Sequence, residues 1–147
     1  MKIREAEIYD LDALQGLYLR HLTQTPPERQ NRDAWDAQLS QLLADENYHI
    51  LVGEAEGAVI ASVTLIIIPN LTHGLRPYAL IENVVTHADF RGRGCASELM
   101  HYAAELAKQA NCYKIMLLTG SKEESTLRFY EHCGYNRQTK TGFHMAL

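Results

Sequence analysis

The stretch "DFRGRGCASELM", residues 89–100, connects a predicted strand to a predicted helix and decides the fold of this chain. Gly92 and Gly94 allow backbone angles that other residues rarely adopt, and Arg91 and Arg93 add positive charge. The N–H groups of a helix's first turn are unpaired and, together with the helix dipole, favour an anion. Taken alone, the stretch fits a phosphate-binding turn and equally a tight connection with two solvated arginines.

Composition limits what that anion site can be. The chain has 147 residues, 46% hydrophobic and 22% charged, without a linker or repeat, which predicts a single globular domain over 1–147. A net charge of -4 disfavours binding to nucleic acid or an anionic membrane, so an anion site must be built locally. The first residues lack an apolar signal segment and the longest apolar run, Ala58–Ile68, is too short to span a bilayer. We therefore expect a cytoplasmic protein with no membrane partner.

The three cysteines, Cys95, Cys112 and Cys133, match no disulfide framework and no paired spacing of a zinc site. They are interpreted as reduced thiols, and no metal is predicted. Cys95 differs because it lies in the first turn of a helix, where the pKa of a thiol can fall. A nucleophilic Cys95 stays open as a minor alternative.

Periodicity predicts the order β, α, α, β, β, β, α, β, α, β, an α/β domain on a mixed sheet. The predicted landmarks are a first strand in "IREAEIYD", a cap at Asp10, a break at Pro26 and Pro27, a helix over Asp33–Ala44 and a hairpin turn at Glu54–Gly57. Further along come the strands "YALIENVVTH" and "YKIMLL", a capping box at Ser121 and Glu124, Gly134 ending the last helix, and one or two strands in "YNRQTKTGFHMAL".

Two motifs about 35 residues apart carry a resemblance to a known family. "RGRGCA", Arg91–Ala96, matches the pattern [RQ]-x-x-G-x-[GA], and "FYEHCGY", Phe129–Tyr135, matches a second pattern on the next helix. The chain resembles the GNAT superfamily of acetyl-CoA-dependent N-acetyltransferases. The resemblance implies the GNAT fold, with a mixed, mostly antiparallel sheet of six to seven strands, a splayed central pair and about four helices.

The resemblance also implies a coenzyme site. It assigns the pyrophosphate of coenzyme A to the main chain of six residues, namely Arg91, Gly92, Arg93, Gly94, Cys95 and Ala96. The pantetheine arm pairs with the backbone of Val84, Val85 and Thr86. Many family members carry an asparagine where this chain has Glu123, and Ser125, Ser121 or Lys122 could take over that contact. Lys122 or Arg128 could meet the 3'-phosphate, although both also suit a solvated helix face.

Acetyl transfer requires an amine to lose a proton and a thiolate to leave. The resemblance places Tyr130 beside the sulfur as general acid and Glu82 at an acidic position that acts as base, directly or through water. A glutamate on a solvated sheet face is the alternative for Glu82. His73 and Tyr78 lie on a loop that the family places near the acceptor.

The expected function is transfer of an acetyl group from acetyl-CoA directly to a small-molecule primary amine, with Tyr130 as the acid. The alternative is an acyl-CoA-binding regulatory module with no productive acceptor chemistry. Polyamine, sugar amine, antibiotic, amino acid and protein N-terminus all stay open as acceptors. Many family members are dimers, so a homodimer is a further expectation.

Overall fold

The protein is built on a mixed sheet, seen in a computed structural model that describes residues 1–25 and 30–147. The strands are β1 Lys2–Glu5, β2 Tyr48–Ala55, β3 Ala58–Ile68, β4 Tyr78–Thr86 and β5 Ile115–Met116, in the sheet order β1-β2-β3-β4-β5. The first three pairings are antiparallel and the β4–β5 pairing is parallel. The helices are α1 Leu11–Leu17, α2 Arg32–Ala44, α3 Cys95–Gln109 and α4 Glu124–His132. This mixed sheet with four helices confirms the predicted fold class.

Each face of the sheet packs against a separate apolar cluster. On one face α3 contributes Leu99, Met100 and Ala103, which pack with buried residues of β2, β3 and β4. On the other face Leu11, Leu14 and Leu39 of α1 and α2 pack against β2. The alternation of side chains along a strand therefore decides whether a residue faces α3 or faces α1 and α2.

The hairpin between β2 and β3 follows the sequence closely. Glu56 and Gly57 lie between the two strands and both have left-handed backbone angles, with φ of 54° and 76°. Two such residues make the turn whose twist matches a two-stranded antiparallel hairpin. The predicted turn is confirmed, and α2 begins one residue before its predicted start.

The predicted number of strands is wrong. The described residues form five strands instead of six to seven, and "YNRQTKTGFHMAL" forms none of them. All side chains from 141 to 147 are exposed, including Phe143 at 91% and Met145 at 81%. The alternating pattern is typical of a strand, but a strand needs a neighbour for its backbone hydrogen bonds. The adjacent β5 is only two residues long.

Two predicted helix caps are also wrong. Asp10 precedes α1 but makes no side-chain cap there, because its carboxylate accepts hydrogen bonds from Arg4 and the Glu7 N–H. Ser121 and Glu124 form no capping box, since α4 begins after Glu123 and the Ser121 hydroxyl accepts from the Glu123 N–H. The helix end at Gly134 is confirmed by its left-handed φ of 98°.

Three further predictions have plain outcomes. The first strand is shorter than predicted, because a 3₁₀ turn follows at Ile8–Asp10. The predicted break at Pro26 and Pro27 lies outside the described residues. Within the described ranges, every helix is too short or too polar to cross a bilayer.

Candidate active site

The sheet opens between β4 and β5. These parallel strands pair only at Ala79 with Ile115 and at Leu80 with Met116. From Ile81 to Thr86, β4 has no strand beside it on that edge among the described residues. Backbone groups along this edge are therefore positioned to pair with an extended ligand, as the resemblance implied for Val84, Val85 and Thr86.

A β-bulge turns β4 in the middle of the opening. Val85 pairs with Ser62 and Glu82 pairs with Thr64. A distance of three residues along β4 therefore lies opposite a distance of two residues along β3. The extra residue is accommodated at Asn83, whose φ of 50° lies in the left-handed region. After the bulge, Val84 packs in the α3 cluster whereas Glu82 stays level with Thr64. The bulge thus puts the side chains of Glu82 and Val84 on opposite faces of the sheet.

The loop before α3 has the geometry of an anion-binding site. Gly92 and Gly94 have φ of 75° and 83°, and a Cβ added at either would have no atom within 4 Å. The first turn of α3 begins at Cys95, directly after Gly94. Open space beside the glycines and unpaired N–H groups in that turn fit a pyrophosphate, so the residues present fit coenzyme A.

Three side chains of this loop contact neighbouring groups of the protein. The Arg91 guanidinium donates to the carbonyls of Thr86 and His21, at 3.3 Å and 3.4 Å. Arg93 lies over the Phe90 ring at 5.0 Å. Cys95 is buried and its Sγ lies 3.8 Å from the Phe90 carbonyl.

Tyr130 lies near the same loop, half-buried on α4. Cys133, one turn later, approaches Ser97 in the first turn of α3, with 4.0 Å between Sγ and Oγ. Burial raises the pKa of Tyr130, and the nearby Cys133 and Glu82 raise it further. The phenol therefore keeps its proton at neutral pH and interacts electrostatically with Glu82.

Glu82 lies among hydroxyl groups on the face that α1 and α2 cover. Its partner Thr64 is buried, and the Tyr18 hydroxyl hydrogen-bonds near Thr64 and lies 3.5 Å from Ser62 Oγ. Burial raises the pKa of Tyr48, and the nearby Tyr18 and Glu82 raise it further. Sequence reasoning missed Tyr18 and Tyr48 as site residues, because the strand register that brings them to Glu82 is not visible in a single sequence.

The structure does not bring the predicted acceptor residues to this site. Tyr78 begins β4 and His73 stacks on Tyr113 at 3.9 Å, beside the end where β4 and β5 are paired. Both lie at the opposite end of β4 from the coenzyme loop. Ser125 is exposed in the first turn of α4, one residue after its start.

The sequence of this chain matches a known protein family. The sequence model of the acetyltransferase (GNAT) family matches residues 14–135, which include both motifs and the β4–β5 opening. This chain belongs to the GNAT family of acetyltransferases. Members of the family use acetyl-CoA, in agreement with the fit of the loop before α3.

Three similar proteins show which acetyltransferases this GNAT chain resembles. Glucosamine 6-phosphate N-acetyltransferase of Trypanosoma brucei brucei is 30% identical over 135 residues, covering 92% of this chain and 88% of the relative. Aminoalkylphosphonate N-acetyltransferase of Salmonella typhimurium is 28% identical over 146 residues, covering 99% and 91%. A solved structure from Agrobacterium tumefaciens, assigned provisionally as an acetyltransferase, superposes with a TM-score of 0.92 at 42% identity over the full length of both chains.

Proposed function

We propose that this acetyltransferase moves the acetyl group of acetyl-CoA directly to a small primary amine. The observation that carries the proposal is the opening of the sheet beside β4, next to a glycine loop with open space and a helix N-terminus. Glu82 lies on this strand, and Tyr130 packs against the same core from α4. One group can give a proton and the other can accept one, which are the two proton transfers that the reaction needs.

Acetyl-CoA supplies an activated thioester, and the chain supplies the groups that hold it. Six residues of the loop, Arg91, Gly92, Arg93, Gly94, Cys95 and Ala96, hold the pyrophosphate through main-chain N–H groups. The backbone of Val84, Val85 and Thr86 pairs with the pantetheine arm. Ser125 takes the contact made elsewhere in the family by an asparagine. The open space beside Gly92 and Gly94 supports this assignment.

Tyr130 holds the proton that the departing sulfur receives. The pKa of a thiol is about 8.5, well below the pKa of a tyrosine that burial raises. The phenol is therefore fully protonated throughout the neutral range and donates only as negative charge develops on sulfur. Tyr135, in the same motif, is a weaker candidate because burial raises its pKa to about 12.

Glu82 accepts the proton of the amine, directly or through a water molecule. The carboxylate is exposed, so an acceptor amine can reach it. A primary amine near pKa 10 is mostly protonated at neutral pH and is attracted to a carboxylate before it is deprotonated. The Tyr18 and Tyr48 hydroxyls flank this position and orient the acceptor.

The acceptor is a primary amine that carries an acidic phosphorus group. The two curated relatives act, by name, on glucosamine 6-phosphate and on aminoalkylphosphonates. Both acceptors combine an amino group with a phosphate or phosphonate. That shared chemistry supports the same class for this chain.

The remaining expectations stand as proposals. Residues 1–147 form one catalytic domain, the protein is cytoplasmic, and it forms a homodimer. His73 and Tyr78 stay predictions of the resemblance, but they lie at the other end of β4 and take no part in the acceptor site proposed here. Cys95 acts through its backbone, so Cys95→Ala keeps most activity, and complete loss would favour a covalent acetyl-cysteine route.

Calorimetry with acetyl-CoA and a thiol-release screen over amines test the proposal together. Binding of acetyl-CoA with thiol release on a phosphorylated or phosphonylated amine is the expected result. Binding without release on any amine would contradict the proposal and favour an acyl-CoA-binding module.

A further inference from the structure

Four basic side chains meet where the end of α1 packs against the loop that follows β4. His21 and Arg20 come from the turn after α1, and His87 and Arg91 come from the loop. The imidazole rings of His21 and His87 have centroids 4.3 Å apart. Arg91 joins the two segments through its hydrogen bond to the His21 carbonyl. These four residues are called the basic cluster below.

The environment of the basic cluster is positive, with the exposed Asp89 beside it. Burial lowers the pKa of His21, and the nearby His87, Arg91 and Arg20 lower it further, whereas Asp89 acts to raise it. The Asp89 side chain is 83% exposed, and its carboxylate lies 3.8 Å from the His87 Nδ1. That nitrogen accepts a hydrogen bond from the Asp89 N–H at 3.2 Å, so Nε2 is the ring nitrogen of His87 that can donate to an anion.

The position of the basic cluster favours the acceptor over the coenzyme. The turn after α1 includes Tyr18, whose hydroxyl contacts Ser62 on the sheet face opposite α3. Arg91 starts the loop before α3, and its guanidinium donates to the carbonyls of Thr86 and His21. The cluster therefore lies on the same face as Glu82 and Tyr18.

Glu82 and the basic cluster lie along one stretch of the chain. Glu82 is on β4, and His87 directly follows Thr86, the last residue of that strand, with the bulge at Asn83 between the two. The His87 ring lies 4.3 Å from the His21 ring, so both imidazoles lie beyond the end of the strand that carries Glu82.

We propose that the basic cluster binds the phosphoryl or phosphonyl group of the acceptor amine, an inference that rests on the proposed function. Imidazole and guanidinium groups donate hydrogen bonds to the oxygens of such an anion, and charge strengthens those bonds. His21 and His87 bind the anion, and Arg91 positions His21 through its carbonyl. Arg20 adds long-range attraction at the rim.

Steady-state kinetics with glucosamine 6-phosphate and glucosamine test the assignment. His21→Ala and His87→Ala should each raise KM for glucosamine 6-phosphate at least about 10-fold, the size expected for one charged hydrogen bond. KM for glucosamine should change less than about 2-fold by the same reasoning. His101→Ala, an exposed histidine of α3, is the matched control and should leave both values unchanged. Equal effects on the two amines, or a loss of acetyl-CoA affinity, would overturn the proposal.

A binding measurement separates this proposal from the proposed function. The ring resonances of His21 and His87 are followed by NMR while inorganic phosphate is added to the protein saturated with coenzyme A. Both should move saturably, while those of His101 and His132 should not move. No shift, or a shift that appears only without coenzyme A, would contradict an acceptor subsite. Absence of acetyl transfer to every amine would instead contradict the proposed function.

Discussion

Glu82 of β4 lies directly opposite Thr64 of β3, and the Tyr18 hydroxyl hydrogen-bonds beside that pair. A buried threonine at this register links the carboxylate to the turn that follows α1. The position of Glu82 is therefore fixed by strand pairing as much as by the loops.

Tyr18→Phe removes the hydroxyl that lies 3.5 Å from Ser62 Oγ and keeps the buried ring. KM for the amine should rise about 3- to 10-fold, since one neutral hydrogen bond contributes about 0.5–1.5 kcal/mol, and kcat should change less. Steady-state kinetics measure the split. Tyr102→Phe on α3, where the side chain is 39% exposed, is the control. A fall in kcat with KM unchanged would assign Tyr18 to the chemistry.

Tyr130→Phe should lower kcat by about 10²–10⁴-fold, the usual contribution of a general acid, and leave acetyl-CoA affinity within about 2-fold. Rapid-quench kinetics and calorimetry measure the two effects. Tyr135→Phe is the matched control from the same motif, because the buried Tyr135 hydroxyl has no hydrogen-bond partner among the described residues. That variant should keep its activity and be at least as stable. Unchanged turnover in Tyr130→Phe would remove this phenol from the mechanism.

Glu82→Gln keeps the size of the side chain but removes its capacity to accept a proton. We expect kcat/KM to fall about 10²-fold near pH 7 and to recover partly at high pH, where more of the amine is already unprotonated. A pH–rate profile measures both effects, with the exposed Glu46→Gln as control. Parallel profiles for the variant and the unaltered protein would show that Glu82 only shapes the acceptor site.

Gly94→Ala introduces a side chain at a φ of 83°, where the surrounding space is open but the backbone is strained. The free energy of unfolding should fall by about 1–2 kcal/mol, and affinity for acetyl-CoA should fall with it if the loop changes conformation. Urea unfolding and calorimetry measure the two quantities. Gly16→Ala in α1, also without a close neighbour, should instead be neutral or stabilising by up to about 1 kcal/mol.

Asp10→Asn disrupts an ion pair outside the active site. The Arg4 guanidinium binds the Asp10 carboxylate through two nitrogens, at 2.7 Å and 2.9 Å, and the carboxylate is 4% exposed. Removing this charge should lower the free energy of unfolding by about 2–4 kcal/mol, with the exposed Asp36→Asn within about 0.5 kcal/mol of the unaltered protein.

The same pair predicts an acid dependence of stability. Burial acts to raise the pKa of Asp10, but hydrogen bonds from Arg4 and from the Glu7 N–H outweigh it and lower the pKa. A lowered pKa stabilises the folded state above the unfolded value of about 4 and loses that effect as pH falls through the folded value. Urea unfolding from pH 6 to pH 2 should show this loss, and Asp10→Asn should show less of it.

Sequence reasoning reaches the parts of this fold that rest on local chemistry. The turn at Glu56 and Gly57 and the loop at Gly92 and Gly94 follow from residues that tolerate left-handed angles, and the bounds of α2 follow from its apolar spacing. The motif around Tyr130 identifies α4 as part of the candidate site. These features depend on neighbours in sequence.

The features that sequence reasoning missed depend on pairing between distant segments. The bulge at Asn83 shifts the side chains beyond it by one position, which moves a strand's residues between faces and cannot be counted from one strand alone. The places of Tyr18 and Tyr48 follow from the packing of the segment after α1 and from the pairing of β2 with β3. Asp10 does not cap α1 as predicted, because Arg4, on a different element, is a stronger partner for its carboxylate.

The short pairing of β4 with β5 has a thermodynamic consequence. Ala79 and Leu80 are the β4 residues that pair with β5, so the rest of this edge of β4 is open to a ligand. A ligand that binds only the folded chain stabilises it by about 2.7 kcal/mol at one hundred times its dissociation constant. We therefore expect this protein to resist unfolding and proteolysis better when acetyl-CoA is supplied.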